Sequence, residues 1–316
     1  MKAVIIGAGV IAGGLDSPED KTILTHAHAY KKNVNTKLVG VYDTNEESLK
    51  KFSEKWGTQT FKSAQEMLET CKPDIISICS ATQTHAQMLK LSLNSSAKII
   101  LCEKPFVSTK EEFNEISKLL EKTDKKLFIN FIRRYDPSFI EVSKMIQSKD
   151  LGAIKSFQGR FSKGLIHNGS HMLELIEHLI GTISKIKILE LHPSDNDFLG
   201  DFYIHSENAN GVISNQEAIN YDIFELDILF TNGKISISDQ GRKITVFKPQ
   251  GSNTFNGYSY LRESDILEGT LEQNMANSLN FALNNDAKDI LKSHLELSKK
   301  ILHIADTLNK SSSMEF

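Results

Sequence analysis

The sequence predicts an α/β protein in two parts: a doubly wound domain with a parallel sheet over residues 1–130, and an α/β domain over 131–316 built on a large, mostly antiparallel open sheet. Three observations predict it. Short apolar runs alternate with segments of helical period through the first third of the chain, which demands crossover connections and therefore parallel strands. A glycine-rich loop, GAGVIAGG, follows the first of those runs. After about residue 150 the texture changes to period-two alternation broken by turn signals.

The elements follow in order. KAVIIGAG, KLVGVYD, DIISICS, KIILCEK and LFINFIR read as strands, with EESLKKFSEKW, HAQMLKLSL and EEFNEISKLLEK as intervening helices. SPEDKTILTHAHAYKKN contains an extra loop before the second strand. AIKSFQGRFS reads as a strand and GSHMLELIEHLIG as a helix. SKIKILELH, YIHSENANGVISNQEAI and YDIFELDILFTNGKISISDQGRKITVFKP then supply antiparallel strands. Within the last of these, ELDILF and KISIS flank Asn232-Gly233, a strong hairpin signal. LEQNMANSLNFALNN and LKSHLELSKKILHIADTLNK are closing helices, and the tail SSSMEF is expected to fray.

The chain's 316 residues, 40% hydrophobic and 24% charged, are those of a globular protein with room for two domains. A net charge of -3 offers no basic stripe for nucleic acid. No apolar stretch nears the roughly 20 residues a bilayer span needs. MKAVIIGAGV makes a poor leader peptide. Cys71, Cys79 and Cys102 have neither even number nor CxxC spacing, so neither disulfides nor a metal site is expected, and a reducing cytoplasm is.

Gly7-x-Gly9-x-x-Ala12 fits a dinucleotide fingerprint, with Val10 and Ile11 inside the loop and Gly13 just after it. Gly7 permits the tight turn, and Gly9 lets backbone approach a pyrophosphate. The second strand ends in Asp43, an acceptor for ribose hydroxyls that would repel a 2′-phosphate. NAD is therefore expected over NADP. Ser80-Ala81-Thr82 ends the third strand, with His85 one turn on. Thr82 or Thr84 is expected to cap the following helix, and the same loop would lie where a nicotinamide binds. AKIILCEKPF places Glu103, Lys104 and Pro105 at the end of a strand buried on both faces, where ligands of open α/β sheets bind.

The series GAGVIAGG, VYD, SATQTHA, CEKP and GLIHNGSHMLELIEHLIG resembles the Gfo/Idh/MocA oxidoreductases, relatives of glucose–fructose oxidoreductase and inositol dehydrogenase. The resemblance covers the whole chain. It implies a Rossmann domain, a second domain on an antiparallel sheet, and NAD(P)-dependent exchange of hydroxyl and carbonyl on a sugar, sugar nucleotide or cyclitol. It further implies a homodimer or homotetramer formed through the second sheet. By the same resemblance Lys104 faces the reacting oxygen, while Glu103 fixes that lysine or meets the nicotinamide ribose. His171 is the acid/base. Many relatives carry an aspartate four residues earlier, where this chain has His167, so His167 shares the acid/base work or the substrate differs. Asn168 adds a hydrogen bond.

Glu174 either bonds a substrate hydroxyl or is a favourable charge early in its helix. Arg133, Arg134 and Tyr135 either grip an anionic substrate or brace the junction between domains. The HAHAY segment, with His26, His28 and Tyr30, is expected to be a half-buried helix face rather than a metal site. His192, His205, His294 and His303 support nothing specific. Two other functions compete with the dehydrogenase: a glycosidase that uses held NAD for transient oxidation, and a sugar sensor without catalysis.

Overall fold

The computed structural model describes residues 1–192, 197–216, 219–307 and 313–315. The chain divides into two compact units. The first holds Met1–Ile132 and Glu272–Leu302, and the second Arg133–Leu271 and His303–Phe316. The expected division at residue 130 therefore holds for the first crossing only, because a late segment returns to the first unit. The ends of the expected segments at 217–218 and 308–310, and Ser311, Ser312 and Phe316 of the tail, lie outside the described residues.

The first unit alternates strand and helix: β1 (Lys2–Ile6), α1 (His26–Lys32), β2 (Lys37–Tyr42), α2 (Glu46–Trp56), β3 (Gln59–Thr60), α3 (Ala64–Cys71), β4 (Ile75–Ile78), α4 (Thr82–Leu93), β5 (Ile99–Cys102), α5 (Lys110–Leu120) and β6 (Lys126–Ile129). The strands are parallel, in the order β3-β2-β1-β4-β5-β6. Every residue of β4 and β5 is buried, as strands covered on both faces must be. Chain order reverses between β1 and β4, and at such a switch point strand ends diverge and leave a crevice.

The stretch before β2 contains α1, as the helix face expected over HAHAY requires. Its His26, His28 and Tyr30 are fully buried rather than half-buried. The short β3 and α3 were absent from the sequence reading; the two residues of β3 carry no periodicity, and the eight of α3 make barely two turns. The helical turn after the glycines runs only over Val10–Gly14. Beyond the second unit the chain comes back as α8 (Asn274–Asn284) and most of α9 (Lys288–Thr307), labelled here after the strands between them. Met275, Leu279 and Ala282 of α8 are buried, and Phe281 meets the edge of Phe128.

The second unit begins with α6 (Pro137–Ser148), β7 (Ile154–Ser162) and α7 (Gly169–Leu179). It continues through β8 (Ile183–His192), β9 (Leu199–Ser206), β10 (Asn210–Gln216), β11 (Phe224–Phe230), β12 (Gly233–Ser238), β13 (Lys243–Gly251) and β14 (Ser259–Glu268). Among the described residues its sheet has nine strands, ordered β14-β13-β12-β11-β7-β10-β9-β8-β15, where β15 is Ser313–Glu315. Pairing is antiparallel except between β7 and β10. β15 pairs with β8, so that part of the tail is strand and not frayed. The β11–β12 hairpin turns at Thr231-Asn232, with Gly233 already paired to Phe230, one residue earlier than expected. Gly233 is needed for space: a Cβ there would lie 2.5 Å from the Phe247 carbonyl oxygen.

Candidate active site

The carboxyl ends of β1, β2, β4 and β5 carry the residues expected to bind a dinucleotide. Gly7 leaves β1 with φ +98°, a region costly for any side chain, and a Cβ there would lie 2.5 Å from the Ser80 nitrogen. Two adjacent strand ends can approach this closely only around a glycine. Gly9 differs: a Cβ there would meet nothing within 4 Å, so its backbone faces open space. Val10 is exposed and Ile11 half-buried beside it.

The third position of the fingerprint shifts by one. A Cβ on Gly13 would lie 2.3 Å from Trp56 Nε1 and 2.5 Å from the Phe52 ring. Trp56 Nε1 and Lys55 Nζ both donate to the Gly13 carbonyl. Gly13, and not Ala12, is thus the close-packing glycine. Asp43 ties the loop to β2: Oδ2 accepts from the Ala8 amide at 2.6 Å and Oδ1 from the Asn45 amide at 2.8 Å. Each carboxylate oxygen keeps a lone pair for another donor.

At α4 the capping expectation is corrected. The cap position is Ala81, with no side-chain hydrogen bond, and Thr82 does not cap. The Thr84 hydroxyl instead donates back to Ser80 Oγ and the Ala81 carbonyl. His85 is buried, with Nδ1 2.9 Å from the Pro105 carbonyl oxygen and Nε2 3.0 Å from that of Ser80. It ties two strand ends together and does not face outward as a cofactor ligand would.

Glu103 follows β5 with its side chain 13% exposed. Its Oε1 accepts from Asn130 Nδ2 at 2.6 Å and lies 3.0 Å from His26 Nε2. Burial opposes its charged form, but the hydrogen bond from His26 with any charge on that ring, the hydrogen bond from Asn130 and the charge of Lys104 hold its carboxyl below the usual range. Cys79 and Cys102 lie nearby. Burial, with the Glu103 charge added, pushes both thiols up, so neither is a nucleophile. Lys104 is half-buried and precedes Pro105 across a cis peptide bond. His26 and Asn130 were missed by sequence reading.

In the second unit His167 ends a helical turn over Gly164–Asn168 that runs straight into α7, where His171 is the third residue. His167 is exposed and His171 half-buried. The turn is held by Asp197, also missed by sequence reading. Its carboxylate accepts from the amides of Ile166 (2.8 Å), His167 (2.8 Å) and Phe198 (2.7 Å). Asn168 Nδ2 donates to the Ser162 carbonyl, a structural bond.

The remaining expected substrate residues have packing partners within their own unit. The Arg133 guanidinium lies 3.6 Å from the centre of the Phe224 ring and donates to the Gln240 carbonyl. Burial pushes it down to about 10, still protonated at neutral pH. Tyr135 is buried. Glu174, 1% exposed, accepts from Arg134 Nε at 2.5 Å, and Arg134 Nη1 lies 2.6 Å from His178 Nδ1. Burial this deep suits an anchor better than a substrate ligand.

Residues 1–131 match the model of an oxidoreductase family described as having an NAD-binding Rossmann fold. The chain is 27% identical over 128 residues to a myo-inositol 2-dehydrogenase of Thermotoga maritima, covering 40% of this chain and 38% of that protein. It is 27% identical over 203 residues to a D-glucoside 3-dehydrogenase of Escherichia coli, covering 57% and 54%. The chain thus spans well under two thirds of the curated relatives it matches. A levoglucosan dehydrogenase solved with NADH and L-sorbose shares the fold across 100% of this chain and 98% of its own, with a TM-score of 0.78 at 14% identity. At that identity the likeness speaks for the fold alone.

Proposed function

Through its first 131 residues the chain belongs to the Gfo/Idh/MocA oxidoreductases, and on that premise we propose that it oxidises a secondary hydroxyl of a sugar or cyclitol, or reduces the matching carbonyl, with NAD. The observation that carries the reading is the convergence of Gly7, Gly9, Asp43 and Glu103 at the carboxyl ends of β1, β2 and β5, beside the β1–β4 switch point. The residues present fit the cofactor. Gly9 offers backbone open to a pyrophosphate, and the Asp43 carboxylate has acceptor capacity for ribose hydroxyls and is followed in the chain by Thr44 and Asn45 rather than by a cation.

NAD when bound supplies a hydride acceptor. In the proposed reaction His171 takes the proton of the substrate hydroxyl, as a neutral imidazole near pH 7 can. The Lys104 ammonium stabilises charge developing on that oxygen. His167 stands four residues before His171 where a carboxylate is usual, and Asp197 holds its backbone in place. Exposed Tyr258, Tyr260, Leu261 and Ile266 on and beside β14 support pairing of subunits through the second sheet.

Calorimetric titration with NAD and NADP, followed by NADH formation on a panel of cyclitols, sugars and sugar nucleotides, tests the reading. NAD binds more tightly, and Lys104→Met lowers turnover on the order of 100-fold with NAD affinity unchanged. Tighter binding of NADP would overturn the cofactor assignment, and a fully active Lys104→Met would remove the lysine from the mechanism.

A further inference from the structure

We propose that Tyr30, Ser77 and His26 form a one-way hydrogen-bond relay whose neutral imidazole positions the Glu103 carboxylate, and through it Lys104, for oxyanion stabilisation. The inference rests on the oxidoreductase reading above. The contacts form one line. Tyr30 Oη lies 2.6 Å from Ser77 Oγ, Ser77 Oγ lies 2.8 Å from His26 Nδ1, and His26 Nε2 lies 3.0 Å from Glu103 Oε1. Tyr30, Ser77 and His26 are each at most 1% exposed. Water therefore cannot substitute for a missing partner, and each buried proton needs an acceptor in the line.

The direction of the line follows from its two ends. Glu103, whose Oε1 meets both Asn130 Nδ2 and His26 Nε2, is ionised at neutral pH as a glutamate ordinarily is, and an ionised carboxylate only accepts. His26 Nε2 must then be the donor. At the far end burial pushes the Tyr30 phenol well up, so it keeps its proton. If His26 also carried a proton on Nδ1, Ser77 would have to turn its own proton toward Tyr30, and the Tyr30 proton would be left without an acceptor. With Nδ1 bare, Tyr30 donates to Ser77, Ser77 to His26, and His26 to Glu103, and every proton is used. The neutral Nε2–H form is the state in which all four groups are satisfied.

A second arm fixes the same carboxylate. Asn130 Nδ2 donates to Glu103 Oε1, and Asn130 Oδ1 accepts from Ser278 Oγ of α8 at 2.9 Å. Glu103 is thus held from two sides by neutral donors. Its negative charge is not cancelled by them, and it acts on the ammonium of the next residue. His26 is a positioning residue in this scheme, acting on Lys104 through Glu103.

The test combines kinetics with a spectrum that needs no turnover. His26→Leu should lower kcat roughly 10- to 100-fold, the usual penalty for misaiming a reacting group. KM and NAD affinity should stay within about twofold, because the lost interaction grows only as charge develops. His26→Gln should restore most of kcat, since its amide nitrogen donates, its oxygen accepts, and it cannot titrate. The ¹⁵N spectrum of the unaltered protein, with the His26 ring assigned by difference from His26→Gln, should show a protonated Nε2 and a bare Nδ1 at neutral pH. Tyr30→Phe should leave Nε2 protonated but free Ser77 to accept from Nδ1, so that a doubly protonated ring becomes detectable. An imidazolium or an Nδ1–H ring in the unaltered protein would overturn the relay, as would His26→Gln no better than His26→Leu. Unchanged kcat in His26→Leu would remove its link to Lys104. If the unaltered protein oxidises no substrate with NAD, the oxidoreductase reading falls, and the ring spectrum still decides the relay. Should His26→Leu fail to fold, the spectrum and His26→Gln carry the decision.

Discussion

Glu103, just after β5, and Glu174, inside α7, are both acids largely withdrawn from water, yet they are held by different chemistry. Glu103 accepts from the His26 imidazole, neutral in the relay proposed above, and from a neutral amide, and keeps 13% of its side chain exposed. Glu174, 1% exposed, is paired with the Arg134 guanidinium, which also contacts His178. Neutral donors satisfy a carboxylate without cancelling its charge, whereas a guanidinium does both. The first arrangement leaves an electrostatic field for a neighbour to feel, and the second makes a rigid anchor. The difference supports a part for Glu103 in the proposed reaction and an anchoring one for Glu174.

The strongest way to break this contrast is Arg134→Met. Removing the cation bonded to Glu174 breaks a buried pair in α7, so unfolding free energy should fall by about 3–5 kcal/mol in denaturant titrations. A loss under about 1 kcal/mol would show that Glu174 does not depend on its partner. The contrast sharpens with paired neutralisations. Glu103→Gln should cut kcat by about 10-fold or more while leaving stability nearly intact, because the amide still fills the space and can still bond Asn130 or His26. Glu174→Gln should do the reverse, lowering the denaturation midpoint with little change in kcat. Equal kinetic losses in the two variants would dissolve the distinction.

The smallest effect is a pH slope. The Glu103 carboxyl titrates lower in the folded protein than in the unfolded chain. It therefore adds stability that is present above the ordinary carboxylate value of about 4.3 and disappears as pH falls through the lower folded value. Denaturant midpoints followed down the acid range should fall less steeply for Glu103→Gln than for the unaltered protein. Parallel curves would place Glu103 in an environment that does not favour its charge.

The same contrast shows what was legible in the sequence. Glu103 and Lys104 could be picked out because they end a run of Ile, Ile and Leu too apolar for a surface strand. Gly7 and Asp43 could be found for the same reason, since strand ends of a parallel sheet are marked by where hydrophobicity stops. His26 could not, because HAHAY has the composition of an ordinary helix face. Only the fold places it beside Ser77 on β4. Arg133 and Tyr135 misled for the opposite reason: polar groups after a strand look available, but Arg133 lies over Phe224 and Tyr135 is buried. Asp197 is 30 residues from His167, and no local pattern links the two.

The return of the chain to its first unit has a consequence for how the protein is made. Ile23 donates its amide to the Glu272 carbonyl, Met275 donates to the Ile23 carbonyl, and Ser278 completes the Asn130 arm behind Glu103. The ribosome must synthesise all of residues 133–271 before these partners exist. Until then the nascent first unit presents Phe128 without the ring of Phe281 and Asn130 without its hydroxyl donor, with the α8-facing side of the sheet bare. Domains generally fold in order of emergence, and exposed apolar surface at that stage invites association with other chains. Here the strands of the first unit are made before the second unit but completed after it, so the Asn130 side chain that donates to the Glu103 carboxylate gains its own hydroxyl donor only once Ser278 has been added.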